Sequence, residues 1–291
     1  MERQWAKLTD TLIETALTED LGSGDITTNA TIASSLESTA YIFSKDSGVM
    51  AGIDVSMKVF HKVDNSLKTR VLLKDGEKFS NGQKIAEITG SVASIFKAER
   101  TALNFLGRIT GIATLTAKYV DKVQGCHAKI LDTRKTMPTM RHLDKYAVRT
   151  GGGYNHRFGL YDRVLIKDNH IAVVGGIRIA VDRVLSHMKK CHKNTKIEVE
   201  CNSYDEVLEA VYTPVDIIML DNMDLSEIER TVKLINESNA ENERTIRIEI
   251  SGNINLDTVR AVAETGVDYI SIGILTHSVK NSDFTLLFDE I

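Results

Sequence analysis

Over residues 5–19 the apolar positions Leu8, Leu12, Ile13, Ala16 and Leu17 recur at helical spacing, and Gly22 and Gly24 end the pattern. Short β-like runs follow at 40–43, 49–51, 69–73 and 84–88, punctuated by Gly48, Gly52, Gly76, Gly82 and Gly90. This predicts a small sheet layered with helices. Residues 93–123 read as helix again, with an interruption expected at Gly111. After Gly125 the rhythm changes, and β-branched runs at 128–131, 163–166, 196–199, 216–220, 245–250 and 269–272 alternate with helical stretches. Six such units predict a parallel sheet. A six-stranded α/β barrel is the preferred closure, and an open doubly wound sheet is the alternative. A last run at 283–288 lies too far from a strand–helix unit to belong to the barrel, and it is assigned to the N-terminal sheet. The expected organisation is an N-terminal α/β sandwich over 1–111, an α/β barrel carrying the site over 112–280, and a tail over 281–291 returning to the first domain.

Each barrel run ends in a polar residue or glycine: Asp132, Lys167, Glu200, Asp221, Ser251 and Gly273. In a parallel sheet these tips collect at one end, where sites of α/β proteins form. The composition is that of a globular chain, 42% apolar with two prolines. A formal charge of −4 gives no global reason to bind nucleic acid or an anionic membrane, so any basic cluster is a local feature. No run of apolar residues is long enough to span a bilayer, and residues 1–5 lack the start of a secretion signal, so a cytoplasmic protein is expected. Cys126, Cys191 and Cys201 have no metal-binding spacing and read as unpaired thiols.

The densest basic region comprises Arg134, Lys135, Arg141, Lys145, His156, Arg157 and Lys167, with Gly151, Gly152 and Gly153 among them. Arg134, Lys135, His156, Arg157 and Lys167 lie at or near strand ends, where cations gathered round one cavity would need an anionic ligand to relieve their repulsion. The alternative is a solvated surface run. Opposite stand Glu200 and Asp221, at the tips of successive strands; such a pair can hold hydrated Mg²⁺ or accept from sugar hydroxyls, or else pair with the basic cluster. Glu198, Arg247 and Glu249 share strand faces with the site and are expected to form a structural charged layer beneath it. The turns at Ser251-Gly252-Asn253 and at Gly273, the latter followed by His277, come after the last two strands, where barrels commonly seat a phosphate.

Taken together, residues 19–28, 99–104, 132–136, 151–160, 166–170, 198–200, 220–222, 249–253 and 271–278 make the chain resemble the quinolinate phosphoribosyltransferase family over nearly its whole length. The resemblance implies a pentosyltransferase of NAD biosynthesis that uses quinolinate and phosphoribosyl pyrophosphate. It further implies Mg²⁺ as sole cofactor and a homodimer with shared active sites, assembly beyond the dimer being left open. Carried over by position, Arg134, His156, Arg157 and Lys167 would bind the quinolinate carboxylates, with Arg100 reaching in from the partner subunit. Lys135, Glu200 and Asp221 would serve the chemistry, attending the pyrophosphate and ribose and, for the two acids, Mg²⁺ directly or through water. Ser251, Gly252, Asn253, Gly273 and His277 would hold the 5′-phosphate. The stretch 236–244 reads as an enlarged surface loop. A sister transferase for a related acid and a non-catalytic anion sensor are the competing readings; a sensor for one dicarboxylate needs neither the acid pair nor two phosphate turns.

Overall fold

The N-terminal periodicity becomes α1 (Glu2–Leu21), whose buried Thr9, Ile13 and Leu17 repeat every four residues along one stripe. Helix α2 (Ile26–Thr31) is capped by Asp25, which accepts from the Thr28 amide at 2.9 Å. There follow β1 (Glu37–Ser44), β2 (Gly48–Val49), α3 (Ile53–Val63), β3 (Lys68–Val71), β4 (Lys78–Phe79), β5 (Lys84–Ser91) and the long helix α4 (Val92–Lys122). This is a computed structural model that describes residues 2–192 and 194–289, with side chains from Trp5 onward. Met1 and residues 290–291, the ends of the first and last expected segments, lie outside the described residues.

Helix α4 runs without a break through Gly111, against the interruption expected there. A Cβ at Gly111 would stand 2.4 Å from the Lys280 carbonyl oxygen, and one at Gly107 2.7 Å from that of Ser282. The glycines therefore admit a returning strand of chain against the helix, which Ser282 fastens by donating its amide to the Gly107 carbonyl at 2.9 Å. That close approach outweighs their modest helix penalty.

The later elements are β6 (Lys129–Leu131), α5 (Arg141–Thr150), β7 (Val164–Ile166), α6 (Asp168–Val174), α7 (Ile177–Lys190), β8 (Ile197–Cys201), α8 (Tyr204–Ala210), β9 (Ile217–Asp221), α9 (Leu225–Glu241), β10 (Arg247–Ser251), α10 (Val259–Glu264), β11 (Tyr269–Ser271), α11 (Ile274–His277) and β12 (Phe284–Phe288). Two compact units result. The first comprises the chain up to Ala117, Thr136–Gly152 and the stretch from Ile274 on; the second comprises Lys118–Lys135 and Gly153–Gly273. The sequence reading groups 112–280 together, whereas compactness places 112–117, 136–152 and 274–280 in the first unit. There α5 is held by a buried pair between Arg108 on α4 and its own Asp144, and by His142 stacked on Trp5 of α1.

In the first unit an antiparallel sheet of order β12-β1-β5-β3 buries Ala40, Ile42, Ile85, Ala86 and Ile88, and α3 and α4 contribute Met57, Phe60, Ile95, Leu106 and Ile109 to the core. The second unit is a six-stranded parallel sheet of order β6-β11-β10-β9-β8-β7. From β7 to β11 each strand lies beside its successor, and the first strand, β6, pairs with the last, β11. A doubly wound sheet reverses direction at a switch point; this order does not reverse, and it is that of an α/β barrel. The remaining edge of β6 is taken by Tyr154, which donates its amide to Ile130 and accepts from that of Asp132.

The polar stretch expected as a loop at 236–244 is largely helical, since α9 extends to Glu241. Its start carries a reciprocal cap between Asp224 and Glu227. At its end the Asn239 side chain exchanges two hydrogen bonds with the Ile246 backbone, at 2.8 and 3.1 Å. Asparagine composition signals a loop, but here it ties the helix to the next strand.

Candidate active site

Parallel pairing sets Leu165 beside Glu198, Glu200 beside Met219, Asp221 beside Ser251, and Ser251 beside Ser271. Side chains alternate along a strand, so Arg163, Leu165, Lys167, Glu198, Glu200, Met219, Asp221, Glu249, Ser251 and Ser271 share the inner face of the barrel. They form a lower layer within the barrel and an upper layer at the strand tips.

The lower layer differs from the expected one. Glu198 and Glu249 are wholly buried, but Arg247 is not with them: it pairs with Asp268 at 2.6 Å with 44% of its side chain exposed. Arg247 opens β10, and its long side chain leaves the interior at that end. The cation beside the acids is Arg163, 3.4 Å from Glu198, a residue the sequence reading passed over although it shares a face with Leu165 and Lys167. His156 completes the layer, with Nε2 3.1 Å from Glu198 and 3.4 Å from Glu249. Ser271 donates its hydroxyl to Glu249. Burial and the neighbouring Glu198 push the Glu249 carboxyl well above the usual carboxylate range.

At the tips, Lys167 and Glu200 form an ion pair across β7 and β8. Asp221 accepts from the Asn222 amide group at 2.7 Å, and the Asn222 side-chain oxygen in turn accepts from that of Asn253 at 3.2 Å. The Asn222 backbone amide donates to the Ser251 carbonyl at 3.0 Å, so the tips of β9 and β10 are tied together. Only glycine fits at 252: its φ is +92°, and a Cβ would stand 2.2 Å from the Asn222 side-chain oxygen. Asn222 lies in the 220–222 stretch that carries the family resemblance, but the sequence reading gave it no role in the site.

Asp132, fully buried beyond β6, receives the Asn155 side chain and the His156 amide, the latter at 2.9 Å, and so fixes the segment that carries His156 and Arg157. Arg157 is buried and its Nε has no hydrogen-bond partner among the described residues. Burial, then the positive charge of Arg134, depress its pKa. Arg134 is half-buried, Lys135 is exposed just beyond it, and Gly273 is half-buried at the tip of β11. The structure thus gathers Arg134, His156, Arg157, Lys167, Glu200, Asp221 and the 251–253 turn within the barrel unit. Arg100 and His277 belong to the other unit. Arg100 lies on α4 with 64% of its side chain exposed, and the ring of His277 bonds the neighbouring Ser278 hydroxyl at 2.5 Å.

Residues 25–110 match the quinolinate phosphoribosyl transferase N-terminal domain and residues 112–287 the C-terminal domain of the same family. The chain belongs to the quinolinate phosphoribosyltransferase family. It is 43% identical over 287 residues to quinolinate phosphoribosyltransferase [decarboxylating] 1 of Nicotiana glauca, covering 96% of this chain and 81% of that one. A probable nicotinate-nucleotide pyrophosphorylase [carboxylating] of Bacillus subtilis is 40% identical, covering 92% of this chain and 89% of the other. Among solved structures, the nicotinate-nucleotide pyrophosphorylase of Francisella tularensis superposes with a TM-score of 0.89 at 37% identity, over 97% of this chain and 96% of that one. Among the described residues no helix is long and apolar enough to cross a membrane.

Proposed function

We propose that this chain transfers the phosphoribosyl group of phosphoribosyl pyrophosphate to the ring nitrogen of quinolinate, with loss of CO₂, giving nicotinate mononucleotide and pyrophosphate for NAD biosynthesis. The observation that carries this reading, beyond family membership, is Arg157: a buried guanidinium with an unpartnered Nε, set beside a second arginine. Two such cations suit the adjacent carboxylates of quinolinate, and Lys167 adds a third positive charge. Arg100 of a second copy would complete the carboxylate site, in a homodimer with shared sites.

Glu200 and Asp221 lie on one inner face at neighbouring tips and offer hard oxygen donors, which fit Mg²⁺ directly or through water. The bound ion would neutralise charge developing on the leaving pyrophosphate. In this reading the two acids also orient the ribose hydroxyls, Lys135 meets the pyrophosphate, and Ser251, Gly252, Asn253, Gly273 and His277 hold the 5′-phosphate. The acceptor nitrogen attacks as positive charge builds at the anomeric carbon, so alignment supplies much of the acceleration and no protein nucleophile is required. Once the nitrogen is alkylated, its positive charge stabilises the electron pair left when the adjacent carboxylate departs.

A cytoplasmic location is part of the proposal; free Cys126, Cys191 and Cys201 accord with a reducing compartment. The test is incubation of the purified chain with quinolinate, phosphoribosyl pyrophosphate and Mg²⁺, followed by assay for nicotinate mononucleotide. Product formed from quinolinate supports the reading, and its absence with correctly folded protein overturns it.

A further inference from the structure

Arg108 of α4 joins two stretches of chain that lead to residues of the proposed phosphoribosyl pyrophosphate site. Its side chain is 14% exposed and lies against the wholly buried Asp144 of α5. The fork meets that carboxylate with both prongs, Nε donating to one oxygen at 3.1 Å and a terminal nitrogen to the other at 2.9 Å. The same terminal nitrogen donates to the carbonyl of Thr276 at 3.1 Å, on α11 immediately before His277. The Asp144 oxygen that takes this nitrogen also accepts the backbone N–H of Met137 at 3.1 Å, just beyond Lys135 and Thr136. Arg108, Met137, Asp144 and Thr276 all belong to the first unit. We infer that Arg108 is a positioning residue for phosphoribosyl pyrophosphate: through Asp144 and Thr276 it fixes the stretch that follows Lys135 to the stretch that carries His277, without touching substrate.

Three observations separate this arrangement from a pair that merely fastens α5 to α4. A guanidinium and a carboxylate satisfy each other with two parallel hydrogen bonds, yet here each partner makes a further one, and both extra bonds go to backbone groups of other segments. Those segments have little regular structure of their own. Met137 lies in the exposed run 137–139 before α5, and α11 is a single turn of four residues, too short to satisfy its own carbonyls. Finally, the anchoring holds backbone and leaves the neighbouring side chains available: Leu275 and Thr276 are buried, whereas Lys135 and His277 are exposed. In the proposed site Lys135 meets the pyrophosphate and His277 the 5′-phosphate, opposite ends of one substrate. The separation of their two stretches therefore matters to phosphoribosyl pyrophosphate and to no part of quinolinate. A lysine at 108 would keep the charge but, as a point charge on a flexible stem, could not present one rigid group to Asp144 and Thr276 together.

The inference rests on the proposed phosphoribosyl pyrophosphate site, and the experiment separates the two. At saturating quinolinate, Arg108→Lys should raise the KM for phosphoribosyl pyrophosphate about tenfold, the equivalent of one lost hydrogen bond. The Kd of quinolinate alone, measured by calorimetry, should stay within about twofold of wild type. An unchanged KM for phosphoribosyl pyrophosphate, or a quinolinate Kd raised as much as that KM, overturns the proposal. The double variant Arg108→Met with Asp144→Leu supplies a second background, in which apolar side chains fill the place of the buried pair without joining the two stretches. Its melting temperature should return to near that of wild type while the KM for phosphoribosyl pyrophosphate stays raised. Recovery of both marks a pair that serves stability alone and sinks the positioning role. His277→Ala is the control for the site itself: an unchanged KM for phosphoribosyl pyrophosphate there removes the 5′-phosphate reading whatever Arg108 does. Where His277→Ala raises that KM, adding Arg108→Lys should raise it further by a smaller factor than in wild type, because part of what Arg108 holds in place is already gone. Effects that multiply in full remove only the present inference.

Discussion

Lys167 and Glu200, one strand apart at the rim of the barrel, are each other's ion-pair partner. Both belong to the proposed site in different capacities, the lysine towards quinolinate and the acid towards ribose and metal. An acceptor that captures Lys167 therefore releases Glu200 for the second substrate. Glu200→Gln should bind quinolinate alone as tightly as wild type or more so, while use of phosphoribosyl pyrophosphate falls by at least about tenfold. Isothermal calorimetry with quinolinate and steady-state kinetics with both substrates distinguish the two effects, and weakened quinolinate binding in this variant would count against the exchange.

Acceptor choice should follow the carboxylates. With nicotinate in place of quinolinate, one carboxylate is missing and a buried cation is left without its partner, which disfavours turnover by about 100-fold or more. Equal kcat/KM for the two acids would refute the assignment of Arg134 and Arg157 to a dicarboxylate.

Removal of divalent metal should abolish product formation, and Mg²⁺ or Mn²⁺ should restore it. Asp221→Ala should raise the metal requirement for turnover without altering quinolinate binding. Full activity in excess chelator would remove the metal role from Glu200 and Asp221.

The charged layer makes a prediction about stability. Arg163→Ala leaves Glu198 buried beside a second acid and should cost about 2–4 kcal/mol in urea unfolding. Arg247→Ala breaks a half-exposed pair with Asp268 and should cost no more than about 1 kcal/mol. The opposite ranking would restore Arg247 to the layer.

Arg100 gives the test of the shared site. Arg100→Ala and Lys167→Ala should each be nearly inactive as homodimers, whereas mixed dimers hold one site with both residues intact. With random reassortment of equal amounts, about a quarter of wild-type activity returns. Verified subunit exchange without recovery would confine Arg100 to its own subunit or remove it from the site.

Much of this architecture was legible from residues. The β-branched runs marked all six barrel strands, and the polar residues closing them marked the tips, because period-two alternation and strand length are local properties. What escaped depended on partners remote in sequence. Gly111 looks like a helix breaker until Lys280 is found against it. Arg247 opens β10 and Arg163 stands just before β7, both facing inward by alternation, yet Arg163 meets the buried Glu198 while Arg247 pairs with Asp268. The helix that ends at Glu241 was hidden by asparagines whose partners lie beyond it, at Ile246. His156 was identified as a site residue by resemblance, but its hydrogen-bond geometry became visible only with Glu198 and Glu249 beside it.

The pairing of β12 with β1 has a consequence for biogenesis. Ala40 stands opposite Phe288, so an inner strand of the first unit acquires one neighbour almost a whole chain length after it is synthesised. The barrel strands β7 to β11, by contrast, pair in chain order and can assemble as they emerge, and β6 alone waits for β11. On the ribosome the sheet holding β1 waits with an open hydrogen-bonding edge while the barrel segments appear, and contacts of such large sequence separation are slow to form and exposed to mispairing. Truncation before residue 284 would leave that edge permanently open, and truncation before residue 280 would also uncover the groove at Gly107 and Gly111, so nascent chains stalled late in synthesis are the form of this protein most in need of a chaperone.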